Sequence, residues 1–219
     1  MSERPGILAV WNDRYPEIAD FYENWYVNQH LPERVGLPGW LVGRRYEAMA
    51  DSSPQFFTYY ETTDASAMYS DAYVARLNSP TPETVKVMQN WGNMTRTSCE
   101  VHSMRGDSRG ACLVAVRIVD ADIVDTLEHI AMRAMDETNA LSAAVWTAYS
   151  GDSLTSTESE VRATPDGSIR SALIVHLMRP ADVAGMIDRL QEALQSLAPN
   201  HIALGAYQFL CEYRPADAS

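Results

Sequence analysis

The feature that most constrains this chain is an order of sequence patterns that occurs twice. Residues 6–11, Gly-Ile-Leu-Ala-Val-Trp, form a short apolar run that reads as a buried strand. From Pro16, a stripe of Ile18, Phe21, Tyr22, Trp25 and Gln29 opposes Glu17, Asp20, Asn24 and Asn28, which predicts an amphipathic helix ending near Leu31. Residues 40–46 and 56–62 read as strands, with a turn at Pro38-Gly39 and a loop at 51–54. Asp64 is suited to cap a helix carrying Met68, Ala72 and Leu77. Ser79-Pro80 breaks that helix, and Thr81-Pro82 supplies the cap and first-turn proline of another. Residues 93–102 alternate as a fourth strand.

After a polar, glycine-punctuated linker at 105–110, the order returns. It runs as a strand at 111–119, an Asp120-capped helix to Thr138, a strand at 143–149, a polar loop at 150–167 and a strand at 169–178. A helix follows with Val183, Met186, Ile187, Leu190, Leu194 and Leu197 on one stripe, then a strand at 202–213. Each half is therefore βαββαβ, the split-βαβ, ferredoxin-like order of an α+β fold. Such a unit covers only one face of its sheet with helices. Two units in one chain, residues 1–105 and 110–219, can pack their antiparallel sheets together as an intramolecular α+β barrel.

Composition narrows the partners. A formal charge of −12 over 219 residues argues against nucleic acid and anionic membranes, which require clustered Lys and Arg. No apolar run approaches the roughly 20 residues of a membrane span. Met1-Ser2-Glu3-Arg4-Pro5 shows no secretory pattern, so a cytoplasmic location is expected. Cys99, Cys112 and Cys211 are odd in number and widely spaced, as expected of free thiols in a reducing compartment. Five histidines without paired spacing argue against a protein-held metal, and no nucleotide-type Gly-rich loop or Gly-x-Ser-x-Gly is present. No cofactor is expected.

The stretch richest in chemistry is Trp25-Tyr26-Val27-Asn28-Gln29-His30-Leu31-Pro32-Glu33-Arg34. Tyr22, Tyr26 and His30 are four apart and would stack along one helix face. Pro32 would stop the helix at Leu31, leaving His30 at a C-terminus where the helix dipole raises its pKa. The bland alternative is a histidine that caps carbonyls. Glu33 and Arg34 read as a solvated pair, or as groups that gate a pocket or hold an acidic substrate. Tyr59 and Glu61 share one face of their strand and Tyr60 the other, and the sequence leaves open which face meets the helices. Trp91, Asn93 and Arg96 are further pocket candidates. His176, inside an apolar strand, reads as a buried core histidine or as one facing the barrel, whereas His102, His129 and His201 read as exposed or terminal.

The helical Trp25-Tyr26-x-x-x-His30-Leu31-Pro32-Glu33-Arg34, with Pro38-Gly39-Trp40 and Arg44-Arg45-Tyr46, resembles the aromatic-x-x-x-His-x-Pro signature of EthD-like proteins in the dimeric α+β barrel superfamily. Ala72-Tyr73, residues 77–82 and Asn93-Met94-Thr95-Arg96 resemble an uncharacterised bacterial branch of it. The second half carries Met135-Asp136-Glu137 where the signature would stand. The resemblance implies one functional half, with its pocket within residues 6–104, and one degenerate half that completes the barrel. It also implies a cofactor-free lyase or isomerase (cyclase, dehydratase, decarboxylase or lactone isomerase) acting on an oxygenated aromatic or polyketide-like small molecule. His30 would move the proton and Tyr26 would stabilise the oxyanion. Trp25, Tyr22, Arg34, Tyr59, Tyr60, Glu61, Trp91, Asn93 and Arg96 would contact substrate. A cofactor-independent monooxygenase and a non-catalytic small-molecule binder are the alternatives. Haem-dependent members exist in the wider superfamily, but no histidine here has the context of an axial ligand. A homodimer of the chain is left open.

Overall fold

The structure, a computed structural model, describes residues 4–137, 139–150, 156–162, 165–196 and 202–215. The expected positions Thr138, Leu197 and His201 lie outside the described residues. Among the described residues eight strands are formed: β1 (Gly6–Arg14), β2 (Trp40–Ala48), β3 (Phe56–Thr62), β4 (Trp91–Arg105), β5 (Cys112–Ile118), β6 (Ala140–Ala148), β7 (Ser171–Leu177) and β8 (Ile202–Tyr213). They close into one barrel in the order β1-β3-β2-β8-β5-β7-β6-β4, and every neighbouring pair is antiparallel. Within each half the spatial order is the same, fourth strand, first, third, second. The sheets do more than face each other. β2 pairs with β8 and β4 with β6, so hydrogen-bonded ladders join the halves at both seams.

Side-chain alternation along the strands divides the apolar residues into three cores. Leu8, Val10, Phe56 and Tyr60 face outward onto the first-half helices. Val114, Val116, Leu173 and Val175 face outward onto α5 (Val124–Ala134) and α7 (Val183–Leu194). Ile7, Trp11, Tyr46, Phe57, Tyr59, Leu113, Trp146, Ile174 and Tyr207 point into the barrel. There the Trp11 and Phe57 rings lie parallel, 4.4 Å apart between centroids. The bare sheet faces are thus covered by each other's side chains, many of them aromatic.

The helices depart from expectation in three places. The helix of the first crossover does not stop at Pro32. It runs as α1 (Ala19–Trp25), a π-helical turn at Tyr26–His30, and α2 (Leu31–Val35). In that turn the Leu31 amide donates to the Tyr26 carbonyl, five residues back. Pro32 falls in the first turn of α2, where the amide it lacks is not required. The predicted helix after Asp64 splits into a 3-10 turn, Ala65–Tyr69, and α3 (Asp71–Leu77), because Ser70 is extended and caps the second piece through its side chain. Thr81 and Pro82 start α4 (Pro82–Met88) as expected. Asp120 is not the cap of α5, whose N-cap is Ile123.

Part of the stretch read as a polar loop forms α6 (Thr157–Val161), opened by a Ser156/Ser159 capping box. The two seams join the halves within the barrel, and α6 packs against α4 of the first half.

Gly43 on β2 sets how closely the π-helical turn sits on the sheet. A Cβ at this position would lie 2.8 Å from Leu31 Cδ2 and 3.0 Å from the Tyr60 ring, both buried side chains. Gly43→Ala should therefore destabilise the protein by about 1–3 kcal/mol, the usual cost of overpacking. The measurement is the urea midpoint, and an unchanged midpoint would show that the close approach is not structurally required.

Candidate active site around His30

The site is built from the helix inward. His30 is 6% exposed. Widening the helix by one residue puts Trp25, five positions back, flat against the imidazole, with centroids 4.4 Å apart and planes 30° apart. Tyr26 meets it edge-on at 5.1 Å. The expected ladder of Tyr22, Tyr26 and His30 is formed, with ring centroids 5.4 and 5.1 Å apart, and the π-helical turn adds Trp25 to it. Tyr22 is fully buried but packs on Tyr26, Phe56 and Trp91 and accepts a bond from Asn12. Trp25 backs His30, fixed by a 3.2 Å bond from its indole nitrogen to Thr84.

A small cavity of about 30 Å³ lies beside His30, between the sheet and the helices. Tyr26, Arg34, Tyr60, Tyr73, Trp91 and Arg96 line it. Glu158 and Arg162 of the second half also reach it. Glu158 comes from α6 and is 3% exposed. Both its carboxylate oxygens accept bonds from Arg34 Nη2, at 2.5 and 2.6 Å. Arg34 is therefore no solvated partner of Glu33, which instead accepts from Arg76 and Gln29. Arg96 donates to the Tyr73 hydroxyl at 2.6 Å. Sequence reasoning missed Glu158 because a lone glutamate in a polar stretch carries no signal. The capping box at Ser156 was the one available hint of a helix.

Three expected residues lie elsewhere. Tyr59 and Glu61 point into the barrel, on the opposite strand face from Tyr60. Asn93 is exposed, has φ of 50°, and bonds Asp13. The structure thus brings His30, Tyr26, Tyr60, Trp91, Arg34 and Arg96 together, with Trp25 and Tyr22 in the wall behind.

The electrostatics reverse the expectation for His30. It is no helix end, since α2 continues beyond it. Burial, and then the guanidiniums of Arg34, Arg76 and Arg45, push its pKa well below the ordinary 6.5. The imidazole is neutral at physiological pH. Burial likewise raises the Tyr26 and Tyr60 phenols, which stay protonated. Arg45, 1% exposed, sits over the Tyr26 ring at 4.4 Å and pairs with Glu23.

Among the described residues, His30 Nδ1, Arg34 Nη1 and Trp91 Nε1 are buried without a hydrogen-bond partner. Such groups are costly and are concentrated at sites with a role. No three His, Cys, Asp or Glu side chains converge to hold a metal among the described residues. Nor does haem fit the cavity as it stands, since at about 30 Å³ it is far smaller than a porphyrin and would have to open for any ring-sized molecule.

Two predictions follow from these charges. Glu158→Ala strands the buried Arg34 charge and should cost about 3–5 kcal/mol in urea unfolding; a loss below 1 kcal/mol would mean that the guanidinium finds solvent. For pH, the unfolded chain protonates His30 at about 6.5, whereas the folded chain resists. Below that pH the unfolded state binds the extra proton, so stability falls as pH falls, by about 1.4 kcal/mol per unit for each such histidine. His176, pushed down to about 3 by burial, adds to the same window. Between pH 6.5 and 5, His30→Leu should remove one histidine's share of the slope; an unaltered slope would mean that His30 is charged when folded.

No protein-family model matches the sequence, and no curated protein is similar to it in sequence. Solved structures do match in shape. An anthrone oxidase-like protein superposes with a TM-score of 0.64 at 8% identity, covering 99% of this chain and 95% of the other. A candidate monooxygenase from Fusobacterium nucleatum subsp. nucleatum gives 0.58 at 10% identity, covering 98% and 96%. A candidate chlorite dismutase gives 0.53 at 11% identity, covering 95% and 96%. Identities this low speak for architecture alone. The chain has the fold of the dimeric α+β barrel proteins, with a closed eight-stranded antiparallel barrel in a single polypeptide.

Proposed function

We propose that this chain is an enzyme of small-molecule metabolism that removes a proton from an oxygenated aromatic or polyketide-like substrate at the His30 cavity. In this reading the anion is then oxidised by dioxygen without a cofactor. The observation that carries it is a buried, uncharged imidazole stacked on Trp25 and lining one cavity with two N–H donors that lack partners. A neutral imidazole can accept a proton, and unpaired N–H groups of Arg34 and Trp91 can receive the oxygen on which negative charge develops. For an activated methylene the balance is one CH₂ and one O₂ giving one C=O and one H₂O. Similarity in shape to an anthrone oxidase-like protein and a candidate monooxygenase is in keeping with this chemistry.

The two halves read as tandem ferredoxin-like units, with the signature-bearing half holding the base and the other lending α6. Glu158 holds Arg34 Nη2, beside the unpaired Nη1 where a substrate oxygen would bind. A shift of α6 with Glu158 would enlarge the 30 Å³ cavity for a ring-sized substrate. A lyase or isomerase step remains the second reading, and the protonated Tyr26 favours it, since a phenol can return a proton to the enolate.

The test is oxygen uptake with an anthrone or a dihydroxynaphthalene as substrate. His30→Gln should lower kcat about a hundred- to ten-thousandfold with little change in the melting temperature. Because His30 titrates below 6.5, kcat/KM should stay flat above that pH. Turnover without oxygen uptake would support the proton-transfer reading. Wild-type turnover in His30→Gln would remove His30 from the chemistry.

A further inference from the structure

We infer that one end of the barrel holds a second ligand site, separate from the His30 cavity, for a small, neutral, ring-shaped molecule with one carbonyl-type oxygen. A pocket of about 300 Å³ opens there, with Ile7, Tyr59, Arg109, Trp146, Ile174 and His176 in its lining. That is the lower end of the size range of ligand pockets, roughly 300–1,000 Å³. It lies on the inner face of the sheet, whereas His30 lies outside it. Both halves contribute.

The chemistry of the wall defines the occupant. Most of the lining is apolar, and the Trp146 and Tyr59 rings meet edge to face at 5.3 Å, which suits a flat ring. The charged groups at the rim are held in pairs with one another. Glu61 accepts from Arg44 at 2.5 Å and Arg109 at 3.2 Å, and Glu212 accepts from Arg44 at 2.6 Å and from Arg214 on the solvent side. An ion would have to break these pairs, so an uncharged ligand is selected.

Donors remain for one oxygen. The Tyr59 hydroxyl accepts from Arg109 Nε at 3.3 Å and Arg44 Nη1 at 3.4 Å, leaving its own proton to give. His176 Nε2 lies at a long 3.5 Å and can take that proton in the tautomer that leaves this nitrogen bare. His176 is 4% exposed, and its Nδ1 has no partner among the described residues. A ligand carbonyl at the Tyr59 hydroxyl would meet a proton that the protein holds only weakly.

Acetophenone is the probe, with ethylbenzene and benzoate as controls, followed through the ¹⁵N-labelled indole N–H signals of the full chain. Acetophenone should shift the Trp146 signal saturably, leaving those of Trp25 and Trp91 in place. Ethylbenzene and benzoate should bind more weakly. Tyr59→Phe should weaken acetophenone about three- to tenfold, the worth of one hydrogen bond, with no effect on ethylbenzene. Ala144→Phe inside the pocket, or Met104→Trp at its exposed rim should the first not fold, should abolish the shift. Absence of a saturable Trp146 shift, its persistence in the filled variant, or equal affinity for benzoate would overturn the proposal.

Discussion

Everything in this molecule depends on two seams of backbone hydrogen bonds, β2 to β8 and β4 to β6. Without them each half would expose a sheet face carrying Trp11, Tyr46, Phe57 and Tyr59, or Leu113, Trp146, Ile174 and Tyr207. An open edge and an aromatic face together are an aggregation hazard. Closure removes the edges and turns those faces into a third core. It also commits alternate residues of every strand to different surroundings. Tyr60 therefore belongs to the His30 cavity and Tyr59 to the barrel, although they are neighbours in the chain.

The second constraint is the fit of an interrupted helix onto that barrel. The extra residue in the π-helical turn carries the chain past Pro32, swings His30 onto Trp25, and keeps Arg34 pointing inward toward α6. The imidazole is surrounded by three guanidiniums that are themselves paired, Arg34 with Glu158, Arg45 with Glu23 and Arg76 with Glu33. Cations held in this way repel a proton from His30 without needing a free charge in the core. Burial and these cations keep neutral a residue that a helix C-terminus would have helped to charge.

The architecture was legible because strand and helix periods are strong signals in long buried segments. β3 and β8 fall at the boundaries that their composition indicates, and α4 starts at Thr81 and Pro82 as its capping residues require. What was not legible were choices made by tertiary packing. A proline reads as a stop unless the preceding turn can widen, and only the seating of Leu31 on Gly43 and Tyr60 holds the widened turn in place. The face on which Tyr59 and Glu61 fall depends on which side of the sheet receives helices, which alternation cannot decide. Asn93 took a left-handed turn beside Asp13 instead of a place in the cavity. Glu158 lies 124 positions from Arg34, and its pairing is a product of the fold alone.

The short connection through residues 106–111 joins the fourth strand of one half to the first strand of the other. Where such a barrel is assembled from two chains, dilution separates the partners, and stability follows protomer concentration by mass action. Here the partner is tethered, and its effective concentration is set by the length of the connection, in the millimolar range for short links. The closed state is therefore independent of how much protein is present, and the two halves are free to differ in sequence without losing each other.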